Sequence, residues 1–424
     1  MVDLRENALN ILSEVLDGKN LVAKMIANDE DEDRAFVSML VLTAFRKLVF
    51  IRKILKSLVV KKLSKQDLTT QAALVLGAVE LLYMQTPNYA VINSYVNLVK
   101  KKKDKFAGGF VNAILRRIAQ QKNVFLGKDT GEFFSQNFKT LLRKSYSAKE
   151  VHDIEKMSML QPSLDITCIS EESAKKLGGY KLPLGTVRLT VKGKINLLPD
   201  YNKGTWWVQD FSSSLAIKML GEVKGKKVLE LCAAPGGKTA QLLAGGAEVC
   251  CLDISEDRLK VLRENLVRLK MKPKEVICKE GVSFLEGTQD KYDIVVLDAP
   301  CSATGTIRRH PEIVHLKSED DVVRQSALQK SFLDKVSSVL KKKGILLYCT
   351  CSLCKEEGEW QIQDFLEKNR QYELVNLENM VPEELAQIVT KEGFIRVLPQ
   401  HLNKFGGADG FFIACLRKVG EDVF

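Results

Sequence analysis

The sequence predicts two folds on one chain: an all-helical front part, then an α/β part built on a doubly wound, mostly parallel sheet. Three observations carry this. Residues 5–120 place apolar side chains at helical spacing and show few strand signals. From Trp206 onward, short apolar runs alternate with helical stretches, as strands alternate with crossover helices. The third is Val228–Thr239, V-L-E-L-C-A-A-P-G-G-K-T, where an apolar run leads through small residues, Pro235 and Gly236-Gly237 to Lys238. A strand, a loop almost without side-chain bulk and a helix bring backbone close to a nucleotide. At 424 residues the chain has room for two or three domains. They are read as 1–140, helical; 141–204, a small α/β linker module; and 205–424, the α/β part.

In the front part, Ala8, Leu9, Ile11, Leu12, Val15 and Leu16 form one helical stripe. Ile51, Ile54, Leu55, Leu58 and Val59 form a second, and Phe106, Phe110, Val111, Ile114, Leu115 and Ile118 a third. Ala72–Met84 is apolar nearly all round and reads as a central buried helix. Pro87-Asn88 breaks it, Ala90–Val99 begins another helix, and Lys100–Lys105 is a basic elbow. Phe125–Tyr146 reads as irregular, Ala148–Met157 as helix, and Ser163–Ile169 and Thr186–Val191 as strands. Further strands are expected at Lys227–Cys232, Glu248–Leu252, Glu275–Lys279, Asp293–Leu297 and Gly344–Tyr348. Phe394–Leu398 and Gly410–Leu416 read as a closing antiparallel pair. Helices are expected from Thr239, over Ser255–Leu269 with Ser255 as N-cap, over Ser318–Leu340 and over Lys355–Leu366.

Composition excludes several classes. No apolar segment reaches the roughly 18–20 residues of a membrane span, and the start of the chain, with Asp3 and Glu6, lacks a signal-peptide pattern. A cytoplasmic protein is expected. Ten cysteines in this length suit a reducing compartment rather than a disulfide scaffold. Cys349, Cys351 and Cys354 cluster without a second ligand pair, and the four histidines lack zinc spacing, so no metal is expected. The net charge of +11 is unevenly spread. Residues 1–40 hold four basic and nine acidic side chains, a net of −5; residues 41–128 hold seventeen and three, a net of +14. That concentration is the footprint expected for a phosphate backbone, although charge runs also occur as plain solvated helix faces.

Three readings compete for the loop at residues 228–239. A P-loop would need glycine where Cys232 stands, and the dinucleotide pattern G-x-G-x-x-G is absent. The third is S-adenosylmethionine, which has no phosphate and needs close backbone approach plus an acid for its ribose. Asp253, at the end of the next strand and 23 residues after Glu230, stands in that place.

Two stretches carry resemblances. L-L-Y-M-Q-T-P-N-Y-A-V-I-N-S-Y-V followed by G-F-V-N-A-I-L-R-R-I at Gly109–Ile118, with Asp33-Arg34-Ala35-Phe36 and Phe45-Arg46, resembles the NusB-type helical RNA-binding domain. C-A-A-P-G-G-K-T resembles RNA cytosine-5 methyltransferases of the Sun/RsmB type. Further matches follow in order: L-D-A-P-C-S-A-T-G-T-I-R-R at Leu297–Arg309, then Y-C-T-C-S at Tyr348–Ser352 with Glu356, Glu357 and Gly358 behind it. Gly410-Phe411-Phe412 after Asp409, and Gln209-Asp210 ahead of a serine run, complete the set. The expected fold is therefore a NusB-like all-α domain ahead of a Rossmann-like class I S-adenosylmethionine-dependent methyltransferase domain.

Carbon 5 of cytosine is a poor nucleophile, and a thiolate added at carbon 6 makes it an enamine able to accept a methyl group. Cys301 and Cys351 both follow strand ends, and residue chemistry alone leaves their order open. The resemblance implies attack by Cys351 through a covalent carbon 6 adduct, and product release assisted by Cys301. It implies that Asp298 faces cofactor and cytosine, and that Lys238 lies near the base. The cofactor would be held by Cys232, Ala233, Ala234, Pro235, Gly236, Gly237, Lys238, Asp253, Arg258, Glu280 and Asp298. Glu280 departs from the aspartate usual at its position. RNA contacts are expected from Arg308, Arg309, His310, Lys100, Lys101, Lys102, Arg116 and Arg117. Cys232, Cys250, Cys251, Cys278 and Cys415 are expected to be buried small hydrophobes. The implied substrate is a single-stranded or locally unpaired cytosine of small-subunit (16S) ribosomal RNA, acted on by a monomer. Two rivals stand beside it: a non-catalytic RNA-binding factor of the antitermination type, and an oxidoreductase using NAD.

Overall fold

The computed structural model describes residues 4–19, 31–59, 67–189 and 194–420, with side chains from Ala35 in the second segment. Asp3, the side chains of Asp33 and Arg34, and the strand end at Thr190-Val191 lie outside the described residues. The chain forms two compact units, one of residues 1–140 and 309–317, the other of 141–308 and 318–424. No helix among the described residues is long and apolar enough to cross a membrane.

The first unit packs helices α1 (Leu4–Leu16), α2 (Asp31–Leu58), α3 (Leu68–Tyr83), α4 (Asn88–Lys102) and α5 (Lys105–Gln120) about one core. The helix α3 is central because it is apolar on every side: 12 of its 16 residues are buried. Its one buried acid, Glu80, is paired with Arg5 at 2.8 Å and accepts the Tyr95 hydroxyl at 2.6 Å, so no lone charge is left in the core. The Phe125–Tyr146 stretch, expected to be irregular, forms α6 (Lys122–Leu126) and α7 (Gln136–Arg143). Its aromatics are why: Phe133, Phe134 and Phe138 are fully buried, and burial overrides weak local propensity. Residues 309–317 belong to this unit as well. His315 Nε2 lies 2.8 Å from the Phe45 carbonyl, and the Ser135 hydroxyl donates to the Val314 carbonyl at 2.8 Å.

The second unit opens with α8 (Ala148–Ser158), capped by a reciprocal Ser147–Glu150 box. A four-stranded antiparallel sheet follows, in the order β2 (Tyr180–Lys181), β3 (Val187–Leu189), β1 (Leu164–Cys168), β4 (Trp206–Val208). Next come α9 (Phe211–Lys218), β5 (Lys227–Leu231), α10 (Gly237–Ala244), β6 (Glu248–Asp253), α11 (Glu256–Arg268), β7 (Glu275–Cys278) and α12 (Gly281–Gly287). The chain continues through β8 (Tyr292–Asp298), α13 (Glu319–Val336), β9 (Leu340–Thr350) and α14 (Glu359–Lys368). It ends in β10 (Tyr372–Leu374), β11 (Ile395–Val397) and β12 (Phe411–Lys418). The large sheet runs β10-β12-β9-β8-β5-β6-β7, with β11 also paired to β12.

The strands β5, β6, β7, β8 and β9 are parallel, and β12 is antiparallel to β9, β10 and β11. The expected closing pair is thus present as β11 and β12. The helix expected over Ser318–Leu340 stops at Val336, because Leu340 begins β9 and Val339 is buried just before it. The chain winds outward from β5 to β7, then returns to the other side of β5 as β8. Sheets of this kind bind ligands in the crevice outside the carboxyl ends of the strands at such a reversal, here β5 and β8.

Candidate active site

Three loops leave neighbouring strand ends beside this crevice. The first leaves β5. Cys232 adopts φ +60°, a strained conformation for a side-chain-bearing residue and one that turns the chain sharply off the strand. The N–H of Ala233 donates to Leu252 O at 3.0 Å, and that of Ala234 to Asp253 Oδ2 at 3.2 Å. Pro235 is exposed and follows a cis peptide bond. Gly236 is the N-cap of α10 at φ +99°, where a Cβ would also press on Leu262 at 3.1 Å. At Gly237 a Cβ would meet nothing nearer than 3.7 Å, so the first turn of α10 presents bare backbone. Asp253 braces the loop and also accepts from the Ser255 N–H at 3.1 Å. Arg258 closes the brace, donating to the Ala234 carbonyl and lying 3.4 Å from Asp253.

The second loop follows β8. Asp298 pairs in register with Cys349 and accepts from Lys238 Nζ at 2.7 Å. Lys238 is buried, also donates to Ser213 Oγ at 3.1 Å, and sits 5.2 Å from the Phe411 ring centroid. Burial opposes its charge, but neighbouring Asp298 outweighs that and holds the ammonium's pKa above the ordinary lysine range. Lys238 therefore lies beneath Asp298, whose side chain is 34% exposed.

Cys301 is on this loop, and Cys351 on the third, which leaves β9. Their sulfurs are 3.4 Å apart and both residues are half-buried. Backbone laces the two loops together: Ala299 N–H to Cys349 O at 2.9 Å, Gly305 N–H to Cys351 O at 2.9 Å, and Gly410 N–H to Gly305 O at 2.8 Å. Side chain removal at Gly305 makes this possible, since a Cβ there would sit 2.0 Å from the Gly410 carbonyl oxygen. The hydrogen bond to Cys351, together with burial, pushes the Cys301 thiol well above its usual pKa. When two thiols touch, the first proton leaves one and the other keeps its own as a donor to the thiolate.

The structure brings Lys238, Asp298, Cys301 and Cys351 to one crevice, and Asp253 and Arg258 to its β5–β6 side. Others have different settings. Glu280 is also the N-cap of α12, accepting from Val282 at 3.0 Å and Ser283 at 2.7 Å. Arg308 is buried and donates to the Gly406 carbonyl at 2.6 Å; it holds a loop rather than facing solvent where a phosphate could reach it. Cys278 is exposed because β7 is an edge strand, whereas Cys250, Cys251 and Cys415 are buried and Cys232 is half-buried. Arg309 and His310 are half-buried in the first unit. Ser213 and Phe411, which flank Lys238, carried no sequence signal for that role beyond the motifs that contain them.

A class I fold with an unencumbered glycine turn at β5, an acid ending β6 and a buried lysine paired with a half-buried aspartate at the switch point defines an S-adenosylmethionine-dependent methyltransferase. Comparisons with known proteins narrow the class. Residues 217–417 match the model of the 16S rRNA methyltransferase RsmB/F family, and residues 3–120 that of the NusB family. The ribosomal RNA small subunit methyltransferase B of Pasteurella multocida is 30% identical over 445 residues, covering 99% of this chain and 97% of that protein. Its counterpart in Photorhabdus laumondii is 29% identical over 98% and 99%. The chain belongs to the 16S rRNA methyltransferase RsmB/F family. Among solved structures, PH0851 matches 99% of each chain at 22% identity with a TM-score of 0.79. A methyltransferase homologue from Pyrococcus horikoshii matches at 26% identity and 0.54, covering 67% of this chain and 99% of that one.

Proposed function

We propose that the protein methylates carbon 5 of a cytosine in small-subunit ribosomal RNA through a covalent adduct on Cys351. The observation that carries this is the pair of touching thiols beside the Lys238–Asp298 pair. S-adenosylmethionine supplies an electrophilic methyl group when bound, and the bare turn at Gly236-Gly237 with Asp253 suits its close approach. Either sulfur could donate in the 3.4 Å contact between Cys301 and Cys351, so the order of the two follows the resemblance to RNA cytosine-5 methyltransferases, with Cys351 attacking as the thiolate. That thiolate forms the bond to carbon 6, and the electron pair of the carbon 5–carbon 6 double bond moves toward N3 and the carbonyl. The Lys238 ammonium, 2.7 Å from Asp298, offsets the negative charge that develops at the N3 edge, and the Asp298 carboxylate accepts from the neighbouring amino group of the base. After carbon 5 is methylated, its proton leaves to a base, the carbon 6–sulfur bond breaks, and its electrons return to Cys351. Cys301 assists this release.

RNA contact is assigned to the face of α5 and the end of α4. Phe106 is 91% exposed and stands beside the lysine elbow, with Gly109, Ala113 and Arg116 continuing the same exposed face. An aromatic face among cations suits a splayed base and its phosphates, and the target base must leave its stack. The test uses labelled methyl donor and ribosomal RNA. Cys301→Ala should accumulate a denaturant-resistant protein–RNA adduct and Cys351→Ala none. The reverse pattern would exchange the two roles, and no methyl transfer to any ribosomal RNA would end the reading.

A further inference from the structure

Glu357 is fully buried between the two cysteine loops. Its Oε1 accepts the backbone N–H of Ser302 at 2.8 Å and Gln329 Nε2 at 3.2 Å. Its Oε2 accepts the hydroxyls of Ser302 and Ser352 at 2.5 Å each. Ser302 follows Cys301 and Ser352 follows Cys351, so one carboxylate holds both loops one residue beyond each sulfur. Its own backbone carbonyl accepts from Tyr348 Oη at 3.0 Å and Thr350 Oγ1 at 3.2 Å, which ties it to β9. Four donors meet the roughly four acceptor sites of an ionised carboxylate. Burying such a group costs several kcal/mol unless it is fully bonded, and apolar packing would hold two loops without that cost. What packing cannot supply is a directional clamp on two backbones at once.

We propose that Glu357 is a positioning residue that sets the separation of Cys301 and Cys351 by clamping both loops. This rests on the reading of those cysteines as the reacting pair, but spacing can be measured without it. Phenylarsine oxide condenses with two touching thiols, forming two arsenic–sulfur bonds and releasing one water. Bridging is followed by intact mass on the full chain, with Cys301→Ala and Cys351→Ala identifying the pair. Glu357→Ala should slow bridging about tenfold and lower kcat about a hundredfold, since an ångström of misplacement has effects of that order. Its affinity for S-adenosylmethionine should stay within about twofold of wild type, because the β5 loop is untouched. Glu357→Gln should restore most of both rates, as its carbonyl still accepts the Ser302 N–H and its amide can donate to the serine hydroxyls. Unchanged bridging in Glu357→Ala overturns the proposal, whatever happens to turnover. If that variant binds no S-adenosylmethionine and is judged unfolded, Ser352→Ala decides: slower bridging supports the clamp and wild-type bridging overturns it. Should the adduct fail to form in Cys301→Ala while bridging still responds to Glu357, the cysteine roles fall and the clamp stands.

Discussion

Lys238 and Glu230 show how single buried charges are handled. Lys238 is buried but charged, because Asp298 lies 2.7 Å away. Replacing it with Met should leave Asp298 without its cation at the crevice. We expect kcat to fall about a hundredfold, the order seen when one electrostatic stabiliser is removed, as measured by methyl transfer at saturating cofactor. Glu230, inside β5, makes no ion pair among the described residues, although the Lys238 charge reaches it. It accepts the Thr239 hydroxyl at 2.7 Å, and burial pushes its carboxyl up to about 8. Because the folded pKa is above the unfolded one, its contribution is full below about 4.5 and is lost as pH rises through about 8. Glu230→Gln should remove that slope and raise stability at pH 8 by about 4 kcal/mol. Denaturant midpoints that change with pH equally in both proteins would show the assignment wrong.

At the scale of elements, two glycines make opposite predictions. Gly305 lies where the loop of Cys301 crosses the start of β12, and a Cβ would drive into the Gly410 carbonyl. Gly305→Ala should therefore lower stability by about 2 kcal/mol or more and abolish turnover, since both loops must shift. Gly109 on α5 meets nothing within 4 Å, so no internal contact requires it. Gly109→Ala should raise the thermal midpoint, consistent with a helix gain of about 1 kcal/mol. If the face binds RNA closely, the same change weakens binding, so stability and affinity move in opposite directions. A gain in both would assign RNA elsewhere.

Across the whole molecule, charge is partly cancelled before any partner arrives. Lys101 and Lys102 share Glu6 at 3.2 and 3.0 Å, and Lys103 lies 3.6 Å from Asp67. Arg116 and Arg117 are exposed at the other end of α5, about 16 Å along the helix from the lysine elbow. We expect RNA affinity to fall steeply with salt. Arg116→Ala should reduce the slope of log affinity against log salt by about one unit, and Glu6→Gln should steepen it by freeing two lysines. Filter binding across a salt series checks both, and a flat response would remove RNA from this unit.

The sequence by itself determined the two fold classes, the succession of the central strands along the chain and the loops at their ends. Those follow from periodicity and from turn chemistry at Val228–Thr239, Asp298–Cys301 and Thr350–Ser352, which are local properties. The tertiary structure decided which of those residues meet. Only strand pairing of β8 with β9 brings Cys301 to Cys351 across fifty positions, and only burial turns Glu357 from an acid trailing a motif into a clamp. The same holds where the local reading stops short. Arg308 looks like a surface cation in sequence, yet it is bonded inside a loop. Glu280, expected to hold cofactor, also caps a helix, which its position in the sequence does not announce. The segment 309–317 follows a strand of the sheet unit but packs with the helical one. Periodicity reports what a residue does with its neighbours in sequence; hydrogen-bond partners and burial depend on residues far away in the chain, and only folding supplies them.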